Sequence, residues 1–190
     1  MRKLIFILLL FMTACRGIYT VHQGENIFRP QYPAIPWASP ELHYQFKLDS
    51  AWWVGPLTDP PGWGFKGLAL GTYNYHFGGL NSAIGYDDGQ LYWWPRYYEI
   101  TNGTYRLHEM TECRISLRPG IWYDVRINTH PCSWNFNGNL VVLTNFTLPH
   151  SWMAWPFLGR SGHDNNYPGG PIPGVFAARD LKIEIRIFWN

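Results

Sequence analysis

Between Gly64 and Arg96 the chain gathers side chains that can move protons and meet a negative charge. The stretch reads GFKGLALGTYNYHFGGLNSAIGYDDGQLYWWPR. Lys66 and Arg96 are cations near its two ends. Tyr73, Tyr75 and His76 form a compact polar-aromatic cluster, and Tyr92 lies in an aromatic run. His76 can neutralise a carboxylate or take a proton near neutral pH. A tyrosine can serve as base, as acid or as both.

Other chemistries find little support. The seven histidines show no close ligand spacing such as H-x-x-x-H, so neither a metal nor a cofactor is expected. Asp87-Asp88-Gly89 is a hairpin signal and needs no calcium to explain it. There is no Gly-x-Ser-x-Gly elbow and no Walker lysine pattern. The net charge is +2 with no run of Lys or Arg, so a nucleic-acid partner is not expected.

The elements that must position these groups are strands. Hydrophobic residues make up 46% of the 190 and charged residues only 15%, which indicates one folded domain rather than a disordered chain. From His43 onward no apolar period of 3.6 is sustained, and period-two segments alternate with turn signals instead. Leu42, Tyr44, Phe46 and Leu48 share a strand face, and Ala51 to Val54 continue or bend that strand. Further strands are expected at Phe65 to Thr72, Leu80 to Tyr86, Gln90 to Trp94, Glu112 to Leu117 and Leu140 to Thr147. Ile121, Tyr123, Val125 and Ile127 take one face of another strand, with Trp122, Asp124, Arg126 and Asn128 on the other. Leu181, Ile183, Ile185 and Ile187 alternate with Lys182, Glu184 and Arg186, a strand with one wet face. Turns are expected at Asn102-Gly103 and Asn137-Gly138-Asn139, and a long loop over Ser161 to Gly174. About ten short strands at this spacing argue for an all-β sandwich.

Residues 1–14 have the form of an export leader, with Arg2 and Lys3 ahead of an apolar run from Leu4 to Met12. Two endings fit. Met12-Thr13-Ala14-Cys15 is similar to a bacterial lipobox, which would leave a lipidated Cys15 and a membrane anchor. Cleavage after Gly17 would give a signal peptide of residues 1–17 and no anchor. Residues 18–40, with prolines at 30, 33, 36 and 40, form an extended lead-in to a domain spanning 41–190. A secreted or surface location follows, and there the pair Cys113 and Cys132 is expected to form a disulfide. Sequons at Asn102 and Asn145 would accept glycans in a eukaryotic or viral-host secretory pathway.

The segments Gly64-Phe65-Lys66-Gly67-Leu68, Ser82 to Tyr86, Asp88-Gly89, Leu91 to Trp94, Gly120-Ile121-Trp122 to Asn128, Phe157-Leu158-Gly159 and Asp180 to Ile187 occur in an informative order. Together they resemble the concanavalin-A-like polysaccharide lyases that act on alginate or glucuronan. Two departures stand out: Ile84 where the family has arginine, and Tyr92 with Trp94 where it has a tyrosine pair. The resemblance implies an all-β jelly-roll sandwich of two antiparallel sheets and an acidic polysaccharide as partner. It implies β-elimination, with Lys66 facing the uronate carboxylate and Tyr92 as base or acid. Tyr75 and His76 have suitable chemistry in the same stretch, and Arg96 would replace the missing arginine in space. Trp94, Trp122, Arg126 and Asn128 are the expected substrate contacts. With tryptophan at eleven positions, rings at Trp93, Trp94, Trp122, Trp134, Trp152 and Trp155 are available to stack on sugars. The alternative is a non-catalytic carbohydrate-binding protein, or a surface or virion glycoprotein, on the same fold.

Overall fold

The computed structural model describes residues 15–23, 40–53, 64–66, 70–71, 79–87, 90–102, 104–148 and 180–188. These form two antiparallel sheets, the jelly-roll sandwich implied above. One, here the terminal sheet, contains β1 (Cys15–Val21), β2 (Glu41–Leu48), β9 (Trp122–Thr129), β10 (Cys132–Phe136), β11 (Asn139–Val142) and β12 (Leu181–Phe188). Its order is β1-β12-β2-β9-β10-β11. The middle sheet contains β3 (Gly64–Lys66), β4 (Leu70–Gly71), β5 (Gly79–Asp87), β6 (Gln90–Thr101), β7 (Thr104–Glu109) and β8 (Ile115–Ser116). Its order is β3-β5-β6-β7, with β4 also on β5 and β8 also on β6.

Alternation builds the core. Leu42, Tyr44, Phe46 and Leu48 are buried on β2, Tyr123, Val125 and Ile127 on β9, and Leu181, Ile183, Ile185 and Ile187 on β12. Leu80, Ile84, Leu91 and Trp93 meet them from the middle sheet. Among the described residues, the closest aromatic join between the sheets is Trp93 against Phe136, with ring centroids 4.4 Å apart. Phe136 also packs on Tyr123 and Phe46. The hydroxyls of Tyr44 and Ser82 meet across the sandwich at 3.2 Å. Burial pushes the Tyr44 phenol well above its ordinary range, so this polar bridge stays uncharged.

Local chemistry explains the edges and turns. Asn137 and Gly138 both have positive φ (47° and 89°) in the two-residue turn joining β10 to β11, as Asn-Gly favours. Asn102 has φ 52° in the turn between β6 and β7. The β9–β10 connection contains a cis His130–Pro131 bond. In β1, Gly17 leaves space for the Tyr19 ring, because a Cβ at 17 would lie 2.6 Å from the Tyr19 hydroxyl.

Several expectations are revised. Residues 50–53 form a 3-10 turn after β2, held where the Trp52 indole donates to the Lys182 carbonyl at 2.8 Å. Gln90 to Trp94 is the start of a twelve-residue strand that runs on through Pro95. The Pro95 carbonyl accepts the Met110 N–H at 3.1 Å. A strand residue's N and C=O point to the same side, so the missing N–H faces the gap between β7 and β8, where no partner is needed. The segment from Glu112 to Leu117 is mostly a 3-10 turn (Thr111–Cys113) and the two-residue β8. Ile121 precedes β9 and is exposed. β11 ends at Val142 rather than Thr147, and as an edge strand it leaves Leu140 and Val142 exposed. Residues 18–21 belong to β1, whose every residue from Cys15 to Val21 pairs with β12.

The expected disulfide is not formed: Cys113 and Cys132 are both free thiols. Cys132 lies in the core cluster of the terminal sheet and donates to the Thr129 carbonyl at 3.3 Å. Cys113 closes the turn after β7, beside the middle sheet. Burial raises both thiols above the ordinary cysteine range, and the Glu112 charge adds to this at Cys113, so neither is activated.

Two outcomes follow. Phe136→Ala removes the ring that joins the sheets and should cost about 3–5 kcal/mol in urea unfolding. Dithiothreitol should leave the melting temperature unchanged; a drop on reduction would mean a disulfide that this packing does not contain.

Candidate functional site

Strand alternation on β6 divides its side chains between two surroundings. Leu91, Trp93 and Pro95 point into the sandwich, so Tyr92, Trp94 and Arg96 take the outer face of the middle sheet. Register then assembles rows across that sheet. Gly64 stands opposite Gly85, Gly85 opposite Tyr92, and Tyr92 opposite Ser116. The next row is Lys66, Ala83 and Trp94, and the one after it Asn81, Arg96 and Glu109.

The row through Tyr92 is therefore made of two glycines, the phenol and one serine. Gly64 and Gly85 carry no side chain, so the pleated surface forms a shallow trough on the β5 side of Tyr92. Lys66 on β3 lies two strands across from Tyr92 and two residues further along, about 12 Å away between backbones.

Tyr92 is half-buried, and the Arg114 guanidinium sits 4.7 Å from the centre of its ring. Arg114 lies just before β8 and is brought here only because β8 pairs with β6. No local pattern in the sequence marks it. It adds an exposed cation to the face that holds Tyr92.

Arg96 does not take the role expected of it. It is 3% exposed, and its Nη1 donates to Glu109 Oε1 at 3.2 Å. It lies four residues from Tyr92, about 13 Å along the strand. Ile84, at the place of the family's arginine, is buried against the core opposite Trp93. Trp94 shares the outer face but is only 4% exposed, so it does not offer a ring to a sugar. Its indole nitrogen is buried and has no hydrogen-bond partner among the described residues.

The remaining expected contacts are on the other side of the molecule. Trp122, Arg126 and Asn128 alternate with the core residues Tyr123, Val125 and Ile127. They therefore lie on the outer face of the terminal sheet, with the whole core between them and Tyr92. Around them, Asp124 accepts from His43 at 2.7 Å and from Gln45 at 3.1 Å. Partial burial pushes the Asp124 carboxyl up, but the His43 and Gln45 bonds and the nearby Arg126 outweigh it and hold it below the usual range. The ring set divides as well: Trp93 and Trp134 are fully buried in the core. Tyr75, His76, Trp152, Trp155 and the loop from Ser161 to Gly174 lie outside the described residues, as does any side-chain geometry for Lys66. Among the described residues, no three His, Cys, Asp or Glu side chains converge as a metal site needs.

No protein-family profile matches the chain, and no curated protein matches it. Solved structures do. The chain is similar to alginate lyase Aly36B, with 14% identity and a TM-score of 0.55 over 92% of this chain and 78% of that one. A prokaryotic β-1,3-1,4-glucanase (lichenase) derived from a mouse hindgut metagenome aligns over 91% of this chain and 79% of its own, with 12% identity and a TM-score of 0.43. The first of these likenesses establishes a shared fold.

Proposed function

We propose that this chain is a secreted or surface-anchored, polysaccharide lyase-like protein that cleaves a uronate-containing glycan by β-elimination on the outer face of the middle sheet. The observation that carries the reading is the row Gly64, Gly85, Tyr92 and Ser116, two glycines beside a phenol that the Arg114 guanidinium approaches. The fold shared with an alginate lyase supports it.

The chemistry required is specific. The C5 proton of a uronate becomes removable once its carboxylate is neutralised. A base takes that proton, the electron pair forms the C4–C5 double bond, the C4–O4 bond breaks, and O4 receives a proton from an acid. Tyr92 is the base or the acid. Lys66 and Arg114 are the cations that meet the carboxylate. Tyr75 and His76 complete the set as the second proton carriers. Water supplies no atom to the products, and no metal is invoked.

A second reading is favoured by Arg96, which is committed to Glu109, and by Ile84 in the core. Neither position then brings an arginine to the Tyr92 row, and the same trough binds a glycan without turning it over.

Incubating the protein with alginate, glucuronan and glycosaminoglycans, and following ultraviolet absorbance of the unsaturated uronate, tests the two. Product is expected from one polymer class, and Tyr92→Phe should slow its formation about 100-fold or more. An equal rate in Tyr92→Phe would remove Tyr92 from the mechanism. No product from any polymer, with glycan still bound, would leave only the binding reading.

A further inference from the structure

We infer that the outer face of the terminal sheet carries a second site, centred on Arg186 and Trp122, that binds carboxylate groups of an acidic polysaccharide. It rests on the acidic-glycan reading above but uses the opposite side of the sandwich.

The charges on this face are unequal and unequally engaged. Its outward positions hold Arg16, Lys47, Arg126, Lys182 and Arg186 against Glu41, Asp124 and Glu184. Every one of those acids is already met. Glu184 pairs with Arg16 and, at 2.7 Å, with Lys47. Asp124 takes His43 and Gln45 and has Arg126 at 3.7 Å. Glu41 has Arg126 at 3.8 Å. Arg186 has no carboxylate within ion-pair distance among the described residues.

Arg186 is nevertheless held in place. Its guanidinium lies 3.8 Å from the centre of the Trp122 ring, and Lys47 Nζ approaches the same ring at 4.8 Å. An indole face attracts cations and keeps them oriented without neutralising them. A guanidinium resting on a ring still has its N–H donors free in its own plane, in the fork that fits a carboxylate. Gln45 pairs in register with Arg186 and sits on the same face, where its amide donates to Asp124 rather than covering the fork. Charge complementarity thus commits the surface to an anion, and the spread of cations over β1, β2, β9 and β12 suits a repeating one. A uronate chain supplies such a repeat.

The test compares wild type, Arg186→Gln, Arg186→Glu and Trp122→Phe, each with its melting temperature measured. Affinity for alginate is read by calorimetry at low and high salt, with neutral laminarin and phosphatidylglycerol vesicles as controls. A tetra-uronate serves as the substrate for product formation, since it is too short to reach both faces. Arg186→Gln should weaken alginate binding about tenfold, as loss of a charge-assisted bidentate contact does, and Arg186→Glu more so. The wild-type affinity should fall as salt rises. Product formation from the tetra-uronate should not change. Equal alginate affinity in all folded variants would overturn the site, as would failure of the wild type to bind alginate. Loss of vesicle binding alone would overturn it in favour of a membrane surface. Arg186-dependent binding without any unsaturated product would keep this site and remove the lyase reading. Product formation with Arg186-independent binding would do the reverse.

Discussion

The contact of Trp93 with Phe136 orients everything that follows. The two rings bring the sheets together at a centroid distance of 4.4 Å in the buried core. In a strand, a residue that points inward forces both neighbours outward. Burial of Trp93 therefore assigns Tyr92 and Trp94 to the surface side, and the register of β5 and β3 then sets Gly85, Gly64, Ala83 and Lys66 beside them. A one-residue slip of β6 would put Tyr92 in the core and Trp93 on the surface, which the loss of aromatic packing forbids. The candidate chemistry is thus positioned by packing on the far side of the same strand.

The sandwich has two outer faces, and they differ in kind. On the middle sheet, the row at Tyr92 holds two glycines beside a phenol that Arg114 approaches, and the nearby tryptophan is buried rather than presented. On the terminal sheet, the aromatic is covered by cations and the surface is a lattice of charges. A uronate polymer would meet each face differently: it would lay a sugar in a trough on one and set carboxylates on guanidinium and ammonium groups on the other. Salt would weaken the second mode more than the first, because it rests on several charges at once.

The sequence read well where alternation was clean. β2, β9 and β12 each bury every second residue, and the Asn137-Gly138 turn has the positive φ values that its residues favour. β6 runs on past Trp94 because Pro95 faces a gap between partners where no N–H is needed. The free cysteines illustrate a different limit: an even pair in an exported chain suggests a bond, but only the fold shows Cys132 turned into the core of one sheet and Cys113 in a turn beside the other. The site was half legible. Lys66, Tyr92 and Arg96 come from one stretch and do reach one sheet. Trp122, Arg126 and Asn128 could not be told to lie on the opposite sheet, because alternation gives two faces to a strand but not the sheet it joins. Arg114 depends on the two-residue strand β8, too short to leave a period in the sequence.

The most direct measurement is a map of backbone amide shifts in the labelled protein during titration with an oligouronate. Glycine amides are well resolved in such spectra, and Gly64 and Gly85 lie in the proposed trough. The largest changes should fall on Gly64, Gly85, Tyr92 and Arg114. Shifts confined to other surfaces, with these four unmoved at saturation, would contradict the placement of the glycan on the middle sheet.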